Sequence, residues 1–462
     1  MITDTIAAIS SPRGKGGVSL IRISGDLTRS VVSRVFVPAG RTSPCDAPRR
    51  AVFGKIVRDS RVIDEGICVF FASPASYTGE DCAEITCHGG IAVTASVLEA
   101  IFAAGAVSAP AGEFTRRAFI NGKLTLSEAE AVGMLIDADT DDRAALAASV
   151  TQGTLSAELR RLADSVTAPL SALYANIDYP DEDIGDIDAP SLALSFRSTS
   201  SALRALAATE RRGRAVAEGV PCAIIGRANG GKSSLYNRLC RSDRAIVTDI
   251  AGTTRDVLSE TVSFAGITLL LSDTAGLRDS DDTVERIGID RARRAADEAE
   301  LVFFVYDLSD SVTPDEIDFA RDFCKSHPGT LTAAVFNKSD LPREMTESDE
   351  NTLREIHTFA AAVSAKTGDG LDALERELAE KYDADIGGNF TEAIVWSRQQ
   401  RASLESAADS LDMAAASLEE GTMPDAACTL AEDALGELMR LDGRGVSEEI
   451  VGQIFARFCV GK

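Results

Sequence analysis

The segment that most restricts how this 462-residue chain can fold is Gly226-Arg227-Ala228-Asn229-Gly230-Gly231-Lys232-Ser233, an octapeptide of the form GxxxxGK(S/T). It directly follows the apolar run Val220–Ile225 and precedes a helical pattern that begins near Ser234. A buried strand, a glycine-rich turn and a helix in that order aim backbone N–H groups at an anion, and the positive end of the helix reinforces them. Lys232 then supplies a cation to the outer phosphates, and the Ser233 hydroxyl supplies a ligand for magnesium. The surroundings agree, because apolar runs at Thr268–Ser272, Leu301–Asp307 and Thr332–Asn337 alternate with helical patterns as far as about Tyr382.

Two stretches downstream complete a phosphate site. In Gly252-Thr253-Thr254-Arg255-Asp256, Thr254 offers magnesium a second hydroxyl; in Asp273-Thr274-Ala275-Gly276, Asp273 suits the metal shell and Gly276 brings its N–H toward a terminal phosphate. Base choice falls to Asn337-Lys338-Ser339-Asp340, since a carboxylate accepts from two donors on the guanine edge and adenine presents a different pattern. Ser364-Ala365-Lys366 adds a backbone donor for the guanine carbonyl. Each stretch alone is an ordinary loop, but in this order they read as a GTP site. Leu277 stands where Ras-like enzymes carry the Gln that orients the attacking water, and its side chain cannot do that work. Glu285, within Asp282-Thr283-Val284-Glu285-Arg286-Ile287-Gly288, is the nearest downstream candidate; on residues alone, a solvated glutamate at a helix start is the stronger reading.

The chain is too long for this unit alone. From Thr5 to about Asn121, short apolar runs at Ile6–Ile9, Val18–Ile23, Ile67–Phe71 and Ala83–Cys87, with a helix near Ala92–Ala104, predict an α+β domain. Helical spacing rules from Ser127 to about Arg214, and again from Ser397 to Lys462 with a break at Gly421–Pro424. The expected segments are 1–122, 123–218, 219–382 and 383–462, with the α/β unit inserted into a helical domain: a multidomain α/β plus α fold. No apolar run approaches the roughly 18 residues of a membrane span. The formal charge of −25 argues against a general electrostatic coating of nucleic acid, so any RNA contact must be local or shared. Nine cysteines without a CxxC pair, and a start lacking a secretory signal, predict a reducing, cytoplasmic setting.

Other stretches are more individual: Gly16-Gly17-Val18 leading to Arg22-Ile23-Ser24-Gly25, Tyr77-Thr78-Gly79-Glu80-Asp81, His88-Gly89-Gly90, Pro110-Ala111-Gly112-Glu113-Phe114-Thr115-Arg116-Arg117-Ala118-Phe119, and Phe458-Cys459-Val460-Gly461-Lys462. With these the chain resembles, over essentially its whole length, the MnmE (TrmE) family of tRNA-modifying GTPases. The resemblance implies a homodimer built through amino-terminal tetrahydrofolate-binding domains, and a helical domain interrupted by a Ras-like P-loop G domain. It implies a FAD-containing partner, MnmG, in a heterotetramer that acts on tRNA. The product is a carboxymethylaminomethyl group at carbon 5 of the wobble uridine. A folate supplies the one-carbon unit, with 5-formyl-tetrahydrofolate as a bound analogue and 5,10-methylene-tetrahydrofolate as the donor.

Residue by residue, the resemblance implies folate ligands at Arg22, Glu84, Lys123 and Lys462. It extends the nucleotide site over Asn229, Gly230, Gly231, Lys232, Ser233 and Ser234, over Thr248, Asp249, Ile250, Ala251, Gly252, Thr253 and Thr254, and over Asp273, Thr274, Ala275 and Gly276. The base side remains Asn337, Lys338, Asp340, Ser364, Ala365 and Lys366. Magnesium falls to Ser233 and Thr254. Potassium falls to Asn229 with Thr248, Ile250 and Thr253, in the place where other enzymes use an arginine finger. Glu285 becomes the water-orienting residue beside Lys232 in catalysis, and Cys459 matches a near-terminal cysteine of the family. Relatives often have Pro-Asn-Ala in the phosphate loop, where this chain has the more flexible Ala228-Asn229-Gly230. Two other readings compete: a ribosome-assembly or regulatory GTPase without folate chemistry, and a slow nucleotide switch that needs an external activator.

Overall fold

The computed structural model describes residues 4–12, 14–178, 188–240, 259–272, 296–384, 390–421, 424–443 and 461. They fall into two compact units, Met1–Gly133 with Met439–Lys462, and Met134–Leu438.

The first unit contains β1 (Ile6–Ile9), β2 (Val18–Ser24), β3 (Phe36–Pro38), β4 (Val52–Arg58), β5 (Arg61–Phe71), β6 (Cys82–His88) and β7 (Val107–Ser108), and burial alternates along much of β2, β4 and β6. They make one sheet in the order β3-β4-β5-β6-β2-β1-β7, antiparallel except for the β1–β7 pair. One face places Ile21, Ile23, Cys68, Phe70 and Ile85 in a core with Val31, Val32, Val97 and Ile101 from the helices Thr28–Val35 and Ile91–Ala103. The other face carries Arg22 directly opposite Glu84, while Ile6 and Ala8 pack with Phe114 of the helix Glu113–Ile120. Arg117, only 2% exposed, joins two of the individual motifs. Its guanidinium bonds Glu80 at 2.9 Å and Glu113 at 3.2 Å, and Ser24 Oγ donates to Glu80 at 2.7 Å. An arginine this deep is tolerable because two carboxylates and the Ser24 backbone carbonyl replace its water.

The second unit is built on a mostly parallel sheet whose central strands are near-continuous apolar runs, as burial on both faces requires. These are β8 (Val220–Gly226), β9 (Ser259–Phe264), β10 (Ile267–Ser272), β11 (Leu301–Asp307), β12 (Leu331–Asn337) and β13 (Phe359–Ala362), in the order β13-β12-β11-β8-β10-β9. All pairs are parallel except the β9–β10 hairpin. The strand starts and ends at Val220–Gly226 and Leu301–Asp307 coincide with the apolar runs in the sequence. That hairpin is fastened to preceding helical residues: Ser263 Oγ donates to the Asp142 carboxylate, the Thr140 and Thr268 hydroxyls lie 3.2 Å apart, and Thr268 donates to Val216 O at 3.0 Å.

Long helices, Thr154–Asp178, Ala189–Ala208, Arg398–Glu419 and Pro424–Leu441, supply the rest of this unit. Ala189–Ala208 and Arg398–Glu419 run antiparallel, burying Phe196, Leu203, Leu404 and Leu411. Arg197 meets Glu419 and Arg204 meets Asp409 and Asp412 along their rim. Segments on either side of the α/β stretch in sequence therefore meet in space. The exposed rim pairs set the alignment more than the stability, which comes from the apolar seam.

His357, 6% exposed, lies among Phe304, Tyr306 and Phe323 of the α/β core, where Tyr306 Oη is 2.8 Å from its Nε2. Burial pushes its pKa down to about 4. The unfolded chain thus binds a proton near pH 6.5 that the folded chain refuses until about pH 4. The contribution of His357 to stability is full above pH 6.5 and falls by about 3 kcal/mol as pH drops through that window, while Glu130, whose pKa burial raises to about 7, contributes in the opposite direction. The single tryptophan, buried Trp396 in the same unit, reports the transition by fluorescence during urea unfolding. His357→Gln is expected to flatten this pH dependence, and an identical slope in both proteins would refute the assignment.

Candidate functional site

The parallel strands end together: Gly226 pairs with Val305, Asp307 with Asn337 and Phe336 with Ala362, so the loops that follow β8, β11, β12 and β13 share one edge of the sheet. This carboxyl-terminal edge is where open α/β sheets receive ligands. The loop after β8 leads into the helix Lys232–Cys240, with Leu235 N bonded to Gly231 O at 2.9 Å. Gly231 has φ +96°, and a Cβ there would lie 2.0 Å from Asn337 Nδ2, so glycine is required both for the turn and for the close approach. Asn229 takes φ +64° and stays exposed on the loop. The Lys232 amine lies across its own loop, donating to Gly226 O at 2.9 Å and Arg227 O at 2.6 Å. Burial holds its pKa below the ordinary lysine value, which an anion at the loop would reverse.

Asn337 joins the phosphate and base sides. It is 2% exposed; its Nδ2 donates to Gly230 O at 3.0 Å and its Oδ1 accepts from Ala365 N at 2.9 Å. Ala365 N–H is therefore occupied internally, as is Ser364 N–H on Asp369 O, which leaves Lys366 N–H as the donor of the expected three with no internal partner among the described residues. Ser364, fully buried, donates to Asp340 Oδ1 at 2.7 Å and holds that carboxylate at the mouth of the loop. Lys338, at φ +63°, pairs with Asp307. Burial raises the Asp307 pKa, but hydrogen bonds from Lys338 and Ser309 outweigh it and keep the carboxyl below its ordinary value. Arg238, which sequence patterns did not single out, donates to Ala365 O at 3.0 Å and to Lys366 O, bracing the base loop from the helix that begins at the phosphate loop. Together Gly231, Ser234, Asn337, Lys338, Asp340 and Lys366 line a cavity of about 530 Å³.

The structure thus brings together Asn229, Gly230, Gly231, Lys232, Ser233 and Ser234 with Asn337, Lys338, Asp340, Ser364, Ala365 and Lys366. Thr248, Asp249, Ile250, Ala251, Gly252, Thr253, Thr254, Asp273, Thr274, Ala275, Gly276 and Glu285 lie outside the described residues, as do Leu277, Cys459 and Lys462. Among the described residues no group of three or more His, Cys, Asp or Glu could hold a metal ion. The donor set at the phosphate loop is instead the Ser233 hydroxyl beside a lysine and open amides, which fits magnesium held jointly with phosphate oxygens.

On the first unit, Arg22 donates through Nε and Nη2 to Glu84 Oε1 at 3.0 and 2.8 Å, and its guanidinium lies 5.1 Å from the Tyr77 ring centroid and 5.7 Å from that of Phe114. Lys123, by contrast, is exposed and donates to Pro74 O at 3.2 Å. Gly461 accepts from Ser10 Oγ at 2.7 Å, which puts the residue before Lys462 against the end of β1. A paired acid and base beside two aromatic rings suits a planar heterocycle with amide-like donors and acceptors.

Sheet, loop and base pocket define a P-loop guanine-nucleotide-binding protein. Residues 5–123 match the family described as the GTP-binding protein TrmE N-terminus, and residues 126–459 match the MnmE helical domain. A tRNA modification GTPase MnmE from Enterococcus faecalis is 37% identical over 468 residues, spanning 99% of this chain and 98% of that protein. The protein of the same name from Roseiflexus sp. is 39% identical over 472 residues, spanning 99% of each. The crystal structure of Aquifex aeolicus Era overlaps 41% of this chain and 65% of its own at 22% identity and a TM-score of 0.27, too slight to carry an argument. The chain belongs to the tRNA modification GTPase MnmE family.

Gly231→Ala is expected to weaken guanine-nucleotide binding at least about tenfold, because its methyl group would meet Asn337 on a backbone that L residues avoid. Titration of a fluorescent GDP analogue measures this. Unaltered affinity would mean that the two loops can separate without cost.

Proposed function

We propose that this chain hydrolyses GTP in tRNA modification, working with MnmG to add a carboxymethylaminomethyl group to carbon 5 of the wobble uridine of certain tRNAs. It does so in the cytoplasm, as a homodimer that joins MnmG in a heterotetramer. No described helix is long and apolar enough to cross a membrane. The observation that carries the reading is the Asn337 bridge, which holds the phosphate loop and the guanine loop in one site within a chain collinear with its relatives.

Asp340, oriented by Ser364, accepts from the guanine edge, and the Lys366 N–H faces its carbonyl. Lys232 and the loop amides bind the outer phosphates, and Ser233 with Thr254 holds magnesium. Hydrolysis then needs charge stabilisation and an oriented water. Asn229, exposed on the phosphate loop, offers a side-chain oxygen for potassium, and Thr248, Ile250 and Thr253 offer the remaining ligands. A cation there would supply the positive charge that arginine fingers supply elsewhere. Glu285 orients the water in place of Leu277.

The dimer reading finds support on the sheet face that bears Arg22 and Glu84. Val18, Phe53 and Ile67 on this face, and Val37 beside them, are exposed apolar side chains on neighbouring strands. Exposed apolar side chains grouped on one sheet face are the sort that association buries. Arg22, Glu84, Lys123 and Lys462 hold the tetrahydrofolate derivative, the first two already positioned by strand register.

Steady-state GTP hydrolysis, with potassium against sodium at matched ionic strength and protein concentration varied, tests the mechanism. Turnover at least about tenfold faster in potassium, rising with protein concentration, is expected. Slow turnover indifferent to the cation would instead leave a nucleotide switch. For the folate site, Arg22→Ala is expected to weaken 5-formyl-tetrahydrofolate binding at least about tenfold by calorimetry, since it removes a charged donor. Retained affinity would remove Arg22 from the ligand set.

A further inference from the structure

We propose that the groove between the helices Glu210–Ala217 and Arg398–Glu419 is a contact site for RNA backbone phosphate, an inference that rests on the reading of tRNA as the substrate. A chain with net charge −25 repels a polyanion at long range, so affinity for RNA has to come from places where cations are not already neutralised. This groove is such a place. Gly213 lets the first helix abut the backbone ahead of the second: a Cβ there would lie 2.1 Å from Val395 O. The approach brings two pairs spaced i, i+3, Arg211 with Arg214 and Arg398 with Arg401, around one cavity of about 510 Å³ walled also by Tyr382.

The charges in the groove do not cancel. Arg214 is held by Glu300 through two hydrogen bonds of 3.0 and 2.9 Å and by Glu210 at 3.2 Å. Arg401 is held by Glu405 at 2.8 Å, with Glu210 at 3.8 Å. These three carboxylates are the acidic side chains lining the cavity, and each is engaged. Arg211 lies over the Tyr382 ring, its guanidinium carbon 5.0 Å from the centroid, with no carboxylate partner among the described residues. Arg398, the first residue of its helix, is exposed and likewise unpaired among them.

Four guanidinium groups against three carboxylates leave one positive charge in excess, and two of the four, from positions far apart in sequence, face the opening with no carboxylate partner among the described residues. A planar guanidinium presents two parallel donors that match two phosphate oxygens, and the Tyr382 ring fixes the plane of one of them without consuming its donors. RNA rather than a free anion is favoured because the opening lies in a groove between two helices, along which a phosphodiester chain can pass.

The test is binding of a fluorescently labelled, unmodified tRNA to the full-length protein across a salt series, for wild type, Arg211→Glu, Arg398→Glu and the double variant. The double variant is expected to bind at least about tenfold more weakly and to lower the slope of log affinity against log salt by roughly one to two, the loss of two phosphate contacts. Basal GTP turnover and Trp396 fluorescence should match wild type, showing that the fold is intact. Wild-type affinity and slope in the double variant would overturn the proposal, as would a wild type that binds no tRNA. Displacement of tRNA by inorganic phosphate at equal phosphate concentration would overturn it too, assigning the groove to free anions. Wobble-uridine modification assayed with MnmG in parallel separates the two readings: modification by wild type with unchanged binding by the double variant removes this groove alone.

Discussion

The nucleotide site depends on a hydrogen-bonded side chain buried at the edge of a parallel sheet. Asn337 satisfies both ends of its amide inside the protein, one on the loop after β8 and one on the loop after β13. A buried amide left unpaired costs more than the pair contributes, so the two loops are fixed relative to one another whenever Asn337 stays buried. Strand register makes this economical, because β8, β11, β12 and β13 all deliver their ends to the same edge. Arg238 then braces the base loop from the helix that begins at the phosphate loop, so one helix serves both halves of the site.

What the sequence revealed and what it hid follow from the range of the interactions involved. Strands buried on both faces are written as apolar runs, and Val220–Gly226 and Leu301–Asp307 were legible to the residue. In the first unit, β5 extends back to Arg61 beyond the legible Ile67–Phe71, since its early residues include the charged Asp64 and Glu65 and their strand character comes from pairing with β4. The long-range roles of Arg238 and Arg117 left no local sign. Arg117 has Glu113 at i,i+4 on its own helix, but the partners Ala365 for Arg238 and Glu80 for Arg117 stand far away in the chain, where no spacing rule connects them. The functional motifs were legible because phosphate and guanine impose short, local patterns, whereas the residues that hold those patterns in place are chosen by the fold.

The two units treat charge differently. Arg22 and Glu84 neutralise each other across adjacent strands beside aromatic rings, so a ligand there must offer its own donors and acceptors in exchange for an existing pair. That exchange favours a ligand with complementary edges over a simple ion and confers selectivity. In the second unit, Arg211 and Arg398 have no such carboxylate pair among the described residues, so an anion there would displace none.

The β9–β10 hairpin has a mechanical consequence. Ser259 and Ser272 stand opposite each other in register, and the chain continues from one toward Thr254 and from the other directly into Asp273. Roughly 13 Å away along the strand, at about 3.3 Å per residue, Ser263 is fastened to Asp142 and Thr268 to Thr140. The hairpin is therefore a lever with its open end at the Ser259–Ser272 pair and its pivot in the residues that lead into the helices. A displacement of about an ångström at the Ser259–Ser272 end must either be absorbed by stretching a hydrogen-bonded ladder or arrive at Thr140 and Asp142 as torque.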